Sequence, residues 1–296
     1  MRQTGPVNNR RESYMSIFKR DQVSIYYEVV GDRGAWIVLT PGGRGGLEDL
    51  RYLADELAGK GYRVLLHDRR SCGQSDVFVD GELSEQEVWV DDVHGLLQHL
   101  DALPVIAGGG SAGCRLSLLL AHQYPGSVRG LLLWWVTGGR HAAEHLGQEY
   151  YGQFIDIAAS QGLAGVCETD FFSQRIIDHP ANREILMSMP TDHFIAVMSR
   201  WRDYFLQGAE LPVIGLSAEQ LQAIGVPTLI VPGSDAIHPR ANAVLLDQLL
   251  PDSQLQYPFE KADLAALKQQ SSAAILQAFR QRLVAHCTTF LAQKGL

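Results

Sequence analysis

The sequence predicts an α/β protein with a mostly parallel central sheet. Short apolar runs alternate with segments of helical spacing between Val23 and Val136, which is the pattern that strands joined by crossover helices produce. Two of the runs, residues 36–39 and 131–136, are continuously apolar, as expected for strands that are covered on both sides. We therefore expect helices on both faces of the sheet.

The alternation of strands and helices stops after Thr137 and resumes at Pro227. Residues 138–223 have helical spacing, no clear strand and many aromatic side chains. We predict that this segment forms a helical lid over the C-terminal edge of the sheet. The remaining residues, 1–137 and 224–296, would then form the core of the protein.

The individual strands are predicted from apolar residues bounded by glycine, proline or charged turns. Residues 1 to about 18 are polar, and we expect them to pack poorly. The predicted strands are residues 23–29, 36–39, 62–66, the run that begins at Val105, 131–136, 227–233 and 254–257.

The helices are predicted from apolar residues at every third or fourth position. Leu50, Leu53 and Leu57 form the first such stripe, and glycines follow it. Ser84 and Glu87 have the spacing of a capping box, which opens the next helix. Further helices are predicted after Ser111, over residues 241–250, and over residues 275–290 near the end of the chain.

Composition excludes several classes of partner. The chain has 296 residues, a formal net charge of -8 and no block of basic residues, so we expect no nucleic-acid partner. No apolar run is long enough to cross a bilayer, and the first residues lack the apolar segment of a signal peptide. We therefore expect a cytoplasmic protein that binds a small-molecule substrate and no membrane, and we leave a homodimer open. The cysteines are far apart and predict reduced thiols without a metal or cofactor: Cys72, Cys114, Cys167 and Cys287.

A single serine stands between glycines at the junction of a predicted strand and a predicted helix. Gly109, Ser111 and Gly113 fit the pattern G-x-S-x-G, in which the serine sits on a sharp turn and projects its hydroxyl from the sheet. The first amides of the following helix would stabilise negative charge that develops beside Ser111. The alternative is an ordinary turn in which the serine only caps the helix.

Four motifs together resemble those of the α/β-hydrolase superfamily, over residues 23 to 293. Ser111 matches the nucleophile of that family, and residues 40–44 (TPGGR) take the place of its oxyanion loop. Residues 68–75 (DRRSCGQS) are similar to its structural D-x-R-G-x-G-x-S turn, and residues 227–235 look like the strand that delivers the catalytic acid.

The resemblance implies roles for individual residues. Asp235 would be the carboxylate of a catalytic triad, and the amides of Gly43 and Ala112 would donate to the oxyanion. The segment 138–223 corresponds to the family's lid, which is inserted after the sixth strand of the sheet. The family fold needs no cofactor for this chemistry.

The histidine that usually follows the last strand is missing, because residues 256–267 contain none. His238 lies three residues after Asp235 and is our first candidate for the general base. It could instead line the pocket without transferring a proton, or bind Asp235 or the backbone as a structural residue. The short spacing argues against a base, because neighbouring residues on one loop seldom let an acid orient a histidine towards a third group.

Other groups are weaker candidates for the base. His141 or His145 would have to extend from the lid, and His67 opens the turn after a strand, where packing is the simpler explanation. Glu260 or Asp263 occupies the place of the missing histidine, and burial would raise the pKa of such a carboxyl.

An arginine near the nucleophile could anchor a substrate carboxylate. Arg44 follows the oxyanion glycines and Arg115 lies one helical turn after Ser111. The alternative for both is a pair with a structural acid. The predicted substrate-binding residues are Arg44, Trp135, His141 and Tyr151.

Three functions remain open. The first is a cofactor-independent serine hydrolase of a small, largely apolar ester, lactone or activated carbon–carbon bond, with an atypical or missing histidine base. The second is a lyase, cyclase or isomerase on the same fold. The third is a ligand-binding protein that has lost catalysis.

Overall fold

An eight-stranded sheet forms the centre of the protein. The computed structural model describes residues 16–260, 263 and 270–296. The strands are β1 (Ser16–Arg20), β2 (Val23–Val30), β3 (Trp36–Thr40), β4 (Arg63–His67), β5 (Val105–Gly110), β6 (Val128–Trp134), β7 (Thr228–Val231) and β8 (Ser253–Leu255). Their order is β1-β2-β4-β3-β5-β6-β7-β8. β2 pairs antiparallel with β1 and β4, and the other pairs are parallel, so the predicted mostly parallel sheet is confirmed.

The first strand, β1, corrects the prediction for the start of the chain. Residues 16–18 belong to the stretch that was expected to pack poorly, yet residues 16–20 pair residue by residue with β2. Ile17 is 61% exposed, so β1 is held by backbone hydrogen bonds of an edge strand and has little of the apolar pattern that reveals buried strands. Residues 1–15 lie outside the described part of the chain.

Helices cover both faces of the sheet. The α-helices are α1 (Arg51–Gly59), α2 (Glu85–His99), α3 (Ala112–Gln123), α4 (Arg140–Gly147), α5 (Gln153–Cys167), α6 (Asp170–Asp178), α7 (Ala181–Ser188), α8 (Thr191–Gln207), α9 (Ala218–Gln222), α10 (Arg240–Leu249) and α11 (Ser272–Lys294). Side chains alternate along β3: Val38 packs with α2 and α3, whereas Ile37 and Leu39 pack with α1 and α11. The capping box of α2 forms as predicted, with Ser84 accepting from the amide of Glu87.

A helical segment lies between β6 and β7. It runs from α4 to α9 and has its own apolar cluster, built around side chains such as Phe172, Phe194 and Trp201. Hydrogen bonds join it to the loop between β4 and α2: Trp201 Nε1 donates to the carbonyl of Leu83 at 3.0 Å, and the amide of Val77 donates to Asn182 Oδ1 at 3.0 Å. The helical content agrees with the predicted insertion, and the boundaries at 138 and 223 stay a prediction.

Two further observations concern membrane-spanning helices and the cysteines. Among the described helices, none combines the length and the apolar character that crossing a bilayer requires. All four cysteines are free and buried.

Candidate active site

The turn between β5 and α3 places Ser111 at the C-terminal edge of the sheet. Its backbone has φ 54° and ψ -110°, a conformation that costs a residue with a side chain of the order of 1–3 kcal/mol. The amide of Ser111 donates to the carbonyls of Trp134 and Trp135 at 3.1 and 3.2 Å, which ties the strained turn to the end of β6. The neighbouring strands therefore hold the serine in a sharp elbow.

Two glycines let β3 approach this elbow. A Cβ atom at Gly113 would lie 2.0 Å from the carbonyl oxygen of Thr40, and one at Gly109 would lie 2.5 Å from the same oxygen. Both distances are far below van der Waals contact with a backbone atom that cannot rotate away. Glycine at both positions of G-x-S-x-G is thus required by the close packing of β3 against β5 and α3.

His238 joins Ser111 to Asp235. The Nε2 atom of His238 lies 2.9 Å from Ser111 Oγ, and its Nδ1 atom lies 3.0 Å from each carboxylate oxygen of Asp235. This is the arrangement of a nucleophile, a base and an orienting acid. Of the candidate bases, His238 is the one that the described structure places within hydrogen-bond distance of the serine hydroxyl.

The loop after β7 explains how a histidine only three residues after an aspartate can contact both that aspartate and Ser111. Asp235 Oδ1 accepts the backbone amides of Ile237 and His238 at 2.9 and 2.8 Å. The chain therefore turns around the carboxylate, and the imidazole lies between Asp235 and Ser111. Burial alone would raise the pKa of Asp235, but the hydrogen bonds from His238 and the backbone amides outweigh it and lower that pKa. The Asp235 side chain is still 60% exposed, against 15% for His238.

Ser111 and His238 line a cavity of about 460 Å³. The indole of Trp135 stacks on Phe279 at 4.9 Å and lies 5.9 Å from the His238 ring, so the predicted pocket residue Trp135 is part of the wall. The lining also contains Gly42, Gly43, Arg44, Tyr52, His145, Tyr150, Ile237 and Leu276.

The predicted oxyanion donors flank the serine. Gly43 lies in the loop after β3 with φ 47° and lines the cavity, and Ala112 is the first residue of α3. The amide of Ala112 opens the helix, where backbone N–H groups have no carbonyl partner within the helix. Gly42 packs on the elbow, since a Cβ atom there would lie 3.5 Å from Ser111 Cβ.

Arg44 reaches the cavity but its charge is already paired. Its guanidinium donates to both carboxylate oxygens of Glu85, at 2.7 and 2.8 Å, and to the carbonyl of Tyr150 at 3.3 Å. The structure thus favours the alternative in which Arg44 pairs with a structural acid. Arg115 is also buried; it donates to Gln86 at 2.8 Å and lies outside the cavity lining.

Two predicted substrate-binding residues do not line the cavity. Tyr151 is 1% exposed and its hydroxyl donates to Glu85 at 2.8 Å, behind the wall. His141 is exposed and stacks on His145, which does line the cavity. Tyr150 lines the cavity in place of the predicted Tyr151, and both residues lie in a π-helical turn at residues 148–152.

The remaining candidate bases have other partners. His67 is buried against Thr40 Oγ1 at 2.9 Å, and burial together with the charge of Arg69 lowers its pKa to about 3. Asp263 Oδ2 accepts a hydrogen bond from the backbone amide of Glu260 at 3.0 Å, and it lies 3.7 Å from Arg282 Nη2. Within the described residues, no group of three or more histidine, cysteine or acidic side chains is arranged to hold a metal ion.

A family model described as alpha/beta hydrolase fold matches residues 35–263. The chain belongs to this family. The match covers both the elbow and the loop that carries His238, so the resemblance found in the sequence is confirmed for the fold.

Several known proteins are similar to this member of the family. A hydrolase from Pseudomonas aeruginosa PA01 superposes with a TM-score of 0.61 at 19% identity, covering 93% of this chain and 98% of the other. The enol-lactonase of Burkholderia xenovorans LB400 superposes with a TM-score of 0.59 at 18% identity, covering 92% of this chain and 100% of the other. At these identities the likeness shows the fold.

A curated relative is similar over a shorter stretch. The proline iminopeptidase of Clostridioides difficile (strain 630) is 29% identical over 114 residues, which are 36% of this chain and 38% of the relative. The match thus spans little more than a third of that protein's length.

Proposed function

We propose that this protein is a cofactor-independent serine hydrolase in which Ser111 is the nucleophile, His238 the general base and Asp235 the orienting acid. The observation that carries the proposal is the continuous chain of contacts, 2.9 Å from Ser111 Oγ to His238 Nε2 and 3.0 Å from His238 Nδ1 to Asp235. A serine hydroxyl is a weak nucleophile until a neighbouring base accepts its proton.

In the first half of the reaction Ser111 Oγ attacks the substrate carbonyl while His238 Nε2 takes its proton. The amides of Gly43 and Ala112 donate to the oxygen that becomes negative. His238 then returns the proton to the leaving alcohol or ring oxygen, and an acyl-enzyme remains on Ser111. Asp235 stabilises the imidazolium that forms in both steps.

In the second half a water molecule attacks the acyl group, and His238 again accepts the proton. Collapse of the intermediate returns the proton to Ser111 Oγ and releases the acid. The turn at Ser111 (φ 54°) holds the backbone that carries the hydroxyl at the edge of the sheet before a substrate binds, and such preorganisation reduces the rearrangement needed during reaction.

The substrate class we propose is a small, largely apolar ester or lactone. A cavity of about 460 Å³ with Trp135, Phe279, Leu276 and Ile237 in its wall fits a compact apolar acyl group. Two similar structures support the class by their names, the enol-lactonase above and Est816, described as an N-acyl homoserine lactone degrading enzyme.

A missing base favoured the alternative of a lyase, cyclase or isomerase, and the other alternative was a ligand-binding protein that has lost catalysis. His238 occupies the role of the base in our proposal, and no observation favours either alternative. Hydrolysis of an activated carbon–carbon bond would use the same three residues: the bond between the acyl carbon and its neighbouring carbon breaks, and that carbon leaves as a stabilised carbanion that takes up the proton from His238.

A fluorophosphonate reagent tests the proposal directly. We expect the reagent to label Ser111. In Ser111→Ala we expect no labelling, and a kcat for p-nitrophenyl butyrate that is lower by about 10⁶-fold. Ser160→Ala, which removes an exposed hydroxyl that donates to the carbonyl of Asp156, should retain labelling and serves as the matched control. Turnover that is unchanged in Ser111→Ala would refute a role for this serine.

A further inference from the structure

Tyr150 places a hydroxyl group in the cavity on the side of the oxyanion loop. Its oxygen lies 3.4 Å from the position that a Cβ atom would take on Gly43, and the residue lines the same cavity as Ser111 and His238. Tyr150 lies within the π-helical turn at residues 148–152. Such turns inside α-helices are frequent at functional sites.

The hydroxyl of Tyr150 is a hydrogen-bond donor without an acceptor in the described part of the chain. Among the residues that the structure describes, none accepts a hydrogen bond from it, whereas the adjacent Tyr151 hydroxyl is bound to Glu85 at 2.8 Å. Two neighbouring tyrosines therefore differ: one hydroxyl is held inside the protein, and the other faces the space where a substrate would bind.

The ring of Tyr150 is held in place on several sides. The guanidinium of Arg44 lies 5.2 Å from the ring centre, and the ring meets Phe205 edge to face at 6.1 Å. The carbonyl of Tyr150 accepts a hydrogen bond from Arg44 at 3.3 Å. The hydroxyl is therefore fixed before a substrate arrives, which is the property that makes a donor effective in catalysis.

Two arginines without a paired carboxylate lie near Tyr150. Arg69 and Arg115 are buried and form no ion pair with a described carboxylate, whereas Arg44 is paired with Glu85 and the carboxylate of Glu149 lies on the same cavity. Arg69 donates to the carbonyl of Gly43 at 2.9 Å and Arg115 to Gln86. Burial raises the pKa of Tyr150 although the three arginines act to lower it, so the phenol keeps its proton and can donate.

We propose that Tyr150 donates a hydrogen bond to the substrate carbonyl oxygen as it becomes negative, as a third oxyanion donor beside the Gly43 and Ala112 amides. Arg69 and Arg115, which have no paired carboxylate, would add to the stabilisation of the same developing charge. The proposal rests on the serine hydrolase function proposed above. No proton is transferred by Tyr150 in this role, because the hydrogen bond strengthens and then weakens as the oxyanion forms and collapses.

The decisive variant is Tyr150→Phe, which removes one oxygen atom and preserves the ring. Loss of an oxyanion donor lowers kcat by about 10²-fold or more, and KM for p-nitrophenyl butyrate should change little. The Ki of a trifluoromethyl ketone, which forms a tetrahedral adduct with the serine, should rise by a similar factor. Tyr124→Phe, which removes a hydroxyl that donates to Asp91 away from the cavity, should leave both constants unchanged.

Each outcome decides the proposal. An unchanged kcat in Tyr150→Phe overturns it, and so does a rise in KM with constant kcat, since the latter indicates equal binding of substrate and transition state. Fluorophosphonate labelling of Ser111 separates the two proposals: if the wild-type protein is not labelled, the hydrolase function fails, whereas labelling with a normal Tyr150→Phe rate removes the role of Tyr150 alone.

A second substitution tests the proposal even if Tyr150→Phe fails to fold. Site-specific 3,5-difluorotyrosine keeps the ring and the hydroxyl but lowers the pKa of the phenol. We expect kcat of this variant to fall as pH rises through the new phenol pKa, because the ionised oxygen no longer donates. A pH profile identical to that of the wild type would overturn the proposal.

Discussion

At the scale of single residues, the candidate site depends on how one short loop presents a carboxylate and an imidazole. Asp235 accepts the backbone amides of Ile237 and His238 as well as His238 Nδ1. These bonds fix the ring so that Nε2 faces Ser111. The sequence identified Ser111 and Asp235 from their motifs, but it left His238 among several candidates, because the spacing of three residues does not reveal the course of the loop.

The first prediction concerns the orienting acid. In Asp235→Asn the amide can donate to His238 Nδ1, which leaves the proton on Nε2 and removes the acceptor for the Ser111 hydroxyl. We expect kcat for p-nitrophenyl butyrate to fall by up to about 10⁴-fold. Asp55→Asn, at an exposed position of α1, is the matched control. Retention of more than a third of the wild-type kcat in Asp235→Asn would contradict the assigned role.

The second prediction concerns the buried histidine His67. Its pKa is lowered to about 3 in the folded protein by burial and by Arg69, whereas an unfolded histidine has a pKa near 6.5. Below pH 6.5 the unfolded state therefore binds more protons, and the free energy of unfolding falls by about 1.4 kcal/mol per pH unit towards pH 3. Urea unfolding of His67→Gln at pH 4 to 7 should show a weaker slope, and the exposed His141→Gln should keep the wild-type slope.

At the scale of elements, the structure explains which parts of the fold could be predicted. The central strands are buried on both faces, so their continuous apolar runs stood out in the sequence. Strand β1 did not, because an edge strand is held by backbone pairing with β2 and carries an exposed Ile17. Tyr150 and Tyr151 could not be told apart, since a π-helical turn has no apolar period of its own.

The third prediction tests the packing of the elbow against β3. Gly113→Ala places a methyl group 2.0 Å from the carbonyl oxygen of Thr40, and overpacking of this kind costs about 1–3 kcal/mol or more. We expect a lower melting temperature and a loss of fluorophosphonate labelling. Gly59→Ala meets no atom within 4 Å at the end of α1 and should be neutral or stabilising by up to about 1 kcal/mol. Equal melting temperatures for the two variants would show that the close approach is unimportant.

At the scale of the whole molecule, one buried carboxylate connects the helical segment to the sheet. Glu85 at the start of α2 binds Arg44 from the loop after β3 and the hydroxyl of Tyr151 from the helical segment. The cavity wall is thus formed by parts of the chain that are distant in sequence. The sequence could predict a helical insertion, but it could not predict this connection, because no local pattern relates residues 44, 85 and 151.

The fourth prediction concerns this connection. Glu85→Gln leaves the buried guanidinium of Arg44 without a counter-charge, and breaking a buried pair in this way costs about 3–5 kcal/mol. Urea unfolding should show that loss. Glu210→Gln breaks the pair with Arg140, whose side chains are 66% and 75% exposed, and should cost less than about 1 kcal/mol. A similar loss of the free energy of unfolding in both variants would mean that the buried pair of Glu85 and Arg44 contributes no more than an exposed pair.

The loop at residues 233–239 carries both Asp235 and His238. Because both proposed partners of Ser111 lie on one contiguous peptide, a single graft of that peptide into a relative would import them together. Leu276 and Phe279, which follow β8, would then contribute to the cavity wall and not to the relay.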